Sequence, residues 1–273
     1  MEVLSKDMIE RWIIPHLSKG ERGPGPEVKL VEIVEVILYR LKTGCQWRML
    51  PLKVFFEQEA LTWSGVYHHH RQWVKDGSWR RVWIEILKAN HSSLDLSSMQ
   101  LDGSQTPCKK QGEHIGYQGR KGAKTTNALF LSDKQGQPLA LATPQAGNHN
   151  DLFEFQELFE QMCALLQEAG IDLRGVFMNA DAGFDAQVVK EVCAQKEIEA
   201  NIAPNPRNEK QITEDYVYFD EELYKQRYVI ERTNAWLDGF KALLVRYEVK
   251  IKTWIALHFI AFAVIFIKTK LIC

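Results

Sequence analysis

Apolar positions in the first ninety residues recur at helical spacing, and sustained strand-like alternation is absent there. Met8, Ile9, Trp12 and Ile13 predict a first short helix. Val31, Ile33, Val34, Ile37, Leu38 and Leu41 predict a second, stopped at Gly44. A third is expected from about Glu59 to Val74 and a fourth from Trp79 to Leu87, separated by Asp76-Gly77-Ser78. Gly20 to Pro26 is a loop by composition, and Asn90 to Ser98 reads as a boundary. Beyond it the pattern changes to short β-rich runs alternating with helices, which signals a mixed or parallel sheet. Expected strands are Met99–Leu101, Asn127–Leu131, Leu139–Thr143, Val176–Ala180 and Ala200–Ala203. The second and third join through the polar turn 132–136 as a hairpin. Helices are expected over 151–169, capped by Asn150 or Asp151, over 185–195, and over a long stretch from about 221 to 247. The pattern therefore divides the chain into a helical region, 1–93, and a mixed α/β domain, 94–273, that includes the C-terminal helices.

Composition changes this picture little. With 45% hydrophobic and 25% charged residues in 273, the chain can fill a core. The net charge of -1 gives no support for a nucleic-acid partner, so any such case rests on local clusters. Five scattered cysteines without CxxC spacing argue against a disulfide framework or a zinc site and fit a reducing cytoplasm. The N-terminus lacks the apolar core of a signal peptide. The greasiest run, Thr253 to Ile267, falls short of the ~20 residues a membrane span needs and reads as a buried helix, so no membrane partner is expected.

The chain carries no P-loop, GxGxxG, HExxH or GxSxG motif, which leaves carboxylates at strand ends as candidate chemistry. Asp102 follows an apolar strand and precedes Gly-Ser; Asp181 follows another and precedes Gly183 by two residues. In open α/β sheets, ligands bind at such ends. Two carboxylates about 4 Å apart repel by ~4 kcal/mol at an effective dielectric near 20, so a shared site needs a cation or a proton. Mg²⁺, with Mn²⁺ as a substitute, suits oxygen donors and substrate phosphates. Glu231 lies on a polar stripe with Tyr224, Arg227, Asn234 and Asp238. Taken singly, each Asp also reads as a turn or cap residue, and Glu231 as a surface ion pair with Arg227.

Five segments together change the balance: Leu101-Asp102-Gly103-Ser104, Gly116 to Lys121, Gly147 to Asp151, Ala180 to Asp185, and Tyr224-x2-Arg227-x3-Glu231-Arg232-Thr233. They resemble DDE transposases of the bacterial insertion-sequence-five group, and the likeness extends to the N-terminal Gly44 to Pro51 and Trp73 to Trp79 stretches. The resemblance implies an RNase H-like mixed sheet flanked by helices and preceded by an all-α helix-turn-helix-like region. It implies that Asp102, Asp181 and Glu231 ligate two Mg²⁺ ions, and that Tyr224, Arg227 and Glu231 form the family's Tyr-Arg-Glu signature. That signature usually continues to a Lys where this chain has Asp238, with Lys241 the next lysine.

The partners implied are double-stranded DNA, as terminal inverted repeats and target, and a second copy of the chain. Expected DNA contacts are Lys109, Lys110, Arg120, Lys121, Lys124, Tyr224, Arg227, Arg232 and Lys241, with His70 and Arg71 on the third helix. Asp185 competes with Asp181 but reads better as the cap of the next helix. A nuclease that cuts without joining, and a repressor or decayed transposase without chemistry, stand as alternatives.

Overall fold

The computed structural model describes residues 2–19, 28–56, 61–208 and 219–271. The expected loop 20–26 and the first residues of the third expected helix lie outside them. The described chain forms two compact units. A helical unit joins residues 1–89 with 108–113 and 236–273, and a sheet unit comprises 90–107 and 114–235. The division expected near residue 93 is linear; the compact units are not, because residues 236–273 cluster with the N-terminal helices.

The helical unit contains α1 (Lys6–Trp12), α2 (Leu30–Thr43), α3 (Trp63–Lys75) and α4 (Ser78–Asn90). Ser5 caps α1 through its hydroxyl and Thr62 caps α3 likewise. α2 buries Val31, Ile33, Val34, Val36, Ile37, Leu38 and Leu41 and stops at Gly44, whose φ of 68° is the left-handed conformation a side chain would resist. The apolar run near the C-terminus forms α10 (Ile251–Phe266), which packs on α2 and α3. Trp83 of α4 meets Phe262 and Phe266 edge-on. Each fully buried aliphatic or aromatic side chain of this kind contributes roughly 1.5–3 kcal/mol. By length and composition the stretch Ile251–Leu271 could cross a membrane, yet 78% of its apolar window is buried against protein.

The sheet unit is built from β1 (Ser98–Pro107), β2 (Gly116–Gln118), β3 (Ala123–Asp133), β4 (Pro138–Leu141), β5 (Gln145–Ala146), β6 (Phe177–Ala180) and β7 (Glu199–Ile202). Their order is β2-β3-β1-β6-β7, with β4 and β5 also pairing with β3. β1 runs antiparallel to β3 and parallel to β6, which runs parallel to β7. The parallel crossovers pass through α5 (Phe155–Glu168) and α6 (Gln187–Gln195). This mixed sheet, flanked by helices and preceded by N-terminal helices, is the RNase H-like architecture that the resemblance implied. The expected hairpin over 132–136 is the β3–β4 connection.

Several local expectations are corrected. β1 does not end at Leu101 but continues past Asp102 to Pro107, held by antiparallel pairing to β3. Helix α5 starts at Phe155 because Glu154 takes a left-handed φ of 51°, so neither Asn150 nor Asp151 caps it. The Asp151 carboxylate instead accepts a 2.6 Å hydrogen bond from Asn127 Nδ2 and fills the space beside Gly103 where a Cβ would project. Asp185 does not cap α6, whose N-cap is Ala186; its carboxylate accepts from the Asn205 amide and pairs with Lys190 at 2.7 Å. The long helix expected over 221–247 is broken into α7 (Glu221–Lys225), a 3₁₀ stretch Gln226–Val229, α8 (Ile230–Asp238) and α9 (Lys241–Leu244). The β-branched Val229-Ile230 pair and Gly239, both poor helix formers, coincide with the breaks.

Candidate active site

Register puts the two aspartates together. The last parallel pair between β1 and β6 is Gln100 with Asn179, and Asp102 and Asp181 each lie two residues further along. Burial along β1 changes at the same place: Ser98 to Leu101 are buried, and every residue from Asp102 onward is half-exposed. Asp102 therefore stands where the sheet interior opens to solvent.

Its surroundings are electrostatically unfavourable to a carboxylate. Burial pushes the Asp102 carboxyl up to about 6, opposed by a 2.9 Å hydrogen bond from the Gly103 amide. The Asp181 and Glu231 charges raise it further, and the Arg227 guanidinium lowers it. Asn234, on the same helix as Glu231, offers its Nδ2 to the second Asp102 oxygen at 3.5 Å, the outer limit of a hydrogen bond. Asp181 also acts as a cap: its carboxylate accepts from the Gly183 amide at 2.8 Å and opens the turn Ala182–Phe184. Glu231 sits exposed in the first turn of α8. The Arg227 guanidinium lies 5.8 Å from the Tyr224 ring.

A buried amide ladder positions these elements, and sequence reasoning missed it. Asn179 Nδ2 donates to Gln100 Oε1 at 3.0 Å, and Asn201 Nδ2 donates to Asn179 Oδ1 at 2.7 Å, crossing β1, β6 and β7 in register. Asn201 also exchanges hydrogen bonds with the Asp220 backbone at 2.8 and 2.9 Å, and Asp220 caps α7 through its side chain. The ladder thus ties the strands carrying both aspartates to the start of the segment carrying Tyr224, Arg227 and Glu231. An orphaned member would cost about 1–3 kcal/mol, so the ladder favours one arrangement strongly. The signal was legible: Gln100, Asn179 and Asn201 each stand between two apolar residues.

The other expected contacts divide between the units. In the sheet unit Arg120, Lys121, Lys124 and Arg232 are exposed. Lys121 donates to the Gln105 carbonyl, and Arg232 to the Gln135 carbonyl at 3.1 Å. Lys109, Lys110, Arg71 and Lys241 are exposed on the helical unit. His70 is corrected: it is wholly buried against Trp47 and Trp79 and cannot touch DNA in this structure. Asp238, where the resemblance led us to expect Lys, is exposed at the end of α8.

A family model described as "Transposase DDE domain" matches residues 87–266. The chain belongs to that family. A second model, for transposases "of IS4/5 family", matches residues 7–83 of this DDE transposase. No curated protein sequence matches it significantly. Among solved structures, the Mos1 transposase paired-end complex with left transposon end is 14% identical, with a TM-score of 0.30 and coverage of 87% of each chain. A pre-cleavage Mos1 transpososome is 14% identical with a TM-score of 0.31, covering 90% of this chain and 80% of that one. Overlaps this loose do not superpose a site.

DDE transposases generally use divalent metal ions, and the donor chemistry here fits one: three carboxylates, one of them raised by burial and then by the charges of the other two. The geometry stops short of a preformed cage. Among the described residues, no three His, Cys, Asp or Glu side chains are gathered closely enough to hold an ion together.

Proposed function

We propose that this transposase cleaves and joins phosphodiester bonds at the ends of its own insertion sequence, with Asp102, Asp181 and Glu231 as the catalytic carboxylates. The observation that carries this reading is the raised Asp102 carboxyl, held beside Asp181 by strand register and within the field of Glu231. Burial and, behind it, the charges of Asp181 and Glu231 disfavour an ionised Asp102, and a cation bound beside it relieves both. These residues would hold Mg²⁺, or Mn²⁺ in its place, as a pair of ions; bound there, the metal supplies Lewis-acid polarisation of the phosphate and a deprotonated water or hydroxyl nucleophile.

The chain's own groups do the rest. The β1–β6 pairing fixes where the Asp102 and Asp181 carboxylates stand, and these would hold the cation that meets the reacting phosphate. The amide ladder holds the segment leading to Glu231 against them. Arg227 faces the same carboxylates and can meet a phosphate oxygen of the substrate. Water attacks phosphorus in line and expels a 3′-hydroxyl, and that hydroxyl then attacks a target phosphodiester and expels the target's own 3′-oxygen. Duplex DNA is the substrate on this reading, and a dimer holding two ends is its working form.

The test incubates the protein, and its Asp102→Asn variant, with DNA carrying the gene and its natural flanks, with and without Mg²⁺. Metal-dependent cuts at the flanks, lost in the variant and followed by strand-transfer products, are expected. Cuts without transfer products would make the protein a nuclease. Binding without cleavage by either form would make it a repressor or relic, an outcome to which Asp238 in place of Lys gives some basis.

A further inference from the structure

A cleft of about 610 Å³ in the helical unit is lined by His68, Arg71, Gln72 and Lys75 of α3 and by Lys250, Lys252 and Thr253 around the start of α10. The α3 residues fall at spacings of three, four and seven, so they share one helix face. His68, Arg71, Lys75, Lys250 and Lys252 are all exposed. Among the described residues, no carboxylate forms an ion pair with Arg71, Lys75, Lys250 or Lys252.

The nearby acids are committed elsewhere. Asp76, next to Lys75, accepts from Ser18 and from the Ser78 amide and hydroxyl, which turns it into the α3–α4 connection. Glu113 accepts from the Ile251 amide at 2.8 Å at the start of α10. The positive character of the cleft therefore comes from side chains rather than from the helix end. Arg71 is partly ordered in advance, with its guanidinium 5.8 Å from the Tyr67 ring.

Four permanent cations facing one concave surface repel one another, and the field of the cleft is focused by its walls. Such a site takes a polyanion with regularly spaced charges. A lipid surface is a poor match, because an interfacial helix needs large apolar residues beside its basic ones, and Val74 is the sole apolar side chain among the lining residues. We infer that this cleft seats the phosphate backbone of duplex DNA, with Arg71, Lys75, Lys250 and Lys252 as phosphate contacts contributed by α3 and the start of α10. The inference rests on the transposase reading for its choice of DNA. It assigns the helical unit an electrostatic, sequence-independent share of the binding.

The experiment measures affinity of the full chain for a duplex of its natural end across a salt series. It compares the wild type, an Arg71→Gln/Lys75→Gln/Lys250→Gln/Lys252→Gln variant, and a charge-matched Arg11→Gln/Lys19→Gln/Lys29→Gln/Lys88→Gln control. All eight replaced side chains are exposed, so far-UV circular dichroism and melting temperature should match the wild type. Loss of four phosphate contacts should flatten the log K against log salt slope by about 3–4 and weaken binding on the order of 10³-fold at 0.1 M salt. The control should keep the wild-type slope. If the wild type binds and cuts but the cleft variant keeps the full slope, or the control loses as much, the cleft inference fails and the transposase reading stands. If the cleft variant loses binding to phosphatidylserine vesicles or polyglutamate while keeping its affinity for the duplex, the inference also fails. If the wild type neither binds nor cuts DNA, the reading itself fails.

Discussion

In the sheet unit the most buried carboxyl of the candidate site, Asp102, sits among other carboxylates, whereas the helical unit buries its ionisable groups either matched or neutral. There Arg40 pairs with Glu248 at 2.6 Å, with both side chains over nine-tenths buried, and the guanidinium lies 5.1 Å from the Trp47 ring. His70 is pushed down to about 3 by burial, with the nearby Arg40 charge adding to it. His258 is pushed down to about 4 by burial, and its Nδ1 lies 3.0 Å from the Trp254 carbonyl. A core built for stability removes unmatched charge, as the helical unit does. The sheet unit leaves like charges facing one another, and a strained arrangement of that kind is what a site awaiting a cation requires.

The largest effect should come from breaking the matched pair. Arg40→Ala takes from buried Glu248 its ion-pair partner, leaving it the Tyr247 amide and the field of Arg246, and should destabilise by about 3 kcal/mol in a denaturant titration. The double change Arg40→Met/Glu248→Leu should recover most of that loss. A loss under about 1 kcal/mol for the single variant would show that the two units treat buried charge alike.

The next effect has the opposite sign. Asp102 is raised from 3.8 to about 6 in the folded state, so the metal-free fold is favoured when this group is protonated. That stability is fully present below pH 4 and is lost as pH rises through 6, a difference of about 3 kcal/mol. Asp102→Asn should therefore be more stable than the wild type at pH 8 by up to that amount, and no more stable at pH 4. Loss of stability in the variant at pH 8 would mean that Asp102 is a structural residue rather than a strained one.

How much of this contrast was readable beforehand depends on whether the cause is local. The helices α2 and α3 followed from apolar spacing and from Gly44, and the change to a sheet after residue 93 followed from the change of period. The pairing of Asp102 with Asp181 was suggested by two strand ends, but its cause, a shared two-residue offset from Gln100 and Asn179, exists only in the register. The continuation of β1 through Asp102 was hidden because Gly103, Ser104 and Gln105 carry no apolar alternation; pairing with β3 supplies what propensity does not. The break before α8 was hidden for the opposite reason, since the polar stripe from Tyr224 to Asp238 keeps helical spacing across the 3₁₀ segment Gln226–Val229. His70 was misplaced because a run of three histidines looks polar, while helical geometry turns one of the three inward.

That inward histidine gives the smallest and sharpest test of the comparison. Both ring nitrogens of His70 are buried without a hydrogen-bond partner, and Trp47 and Trp79 contact its ring. Its folded-state value of about 3 lies below the unfolded 6.5, so it contributes stability above pH 6.5 that is lost as pH falls toward 3. His70→Phe is close in volume and removes two buried polar atoms, so at pH 8 its effect should stay below about 1.5 kcal/mol in either direction. Its melting temperature should fall less steeply than the wild type's between pH 6.5 and 4. Affinity for duplex DNA at neutral pH should be unchanged, in contrast to the losses expected from Arg71 and its partners in the cleft. A DNA-binding defect in folded His70→Phe would restore the histidine to the interface, and would mean that the core around Trp47 and Trp79 opens when DNA binds.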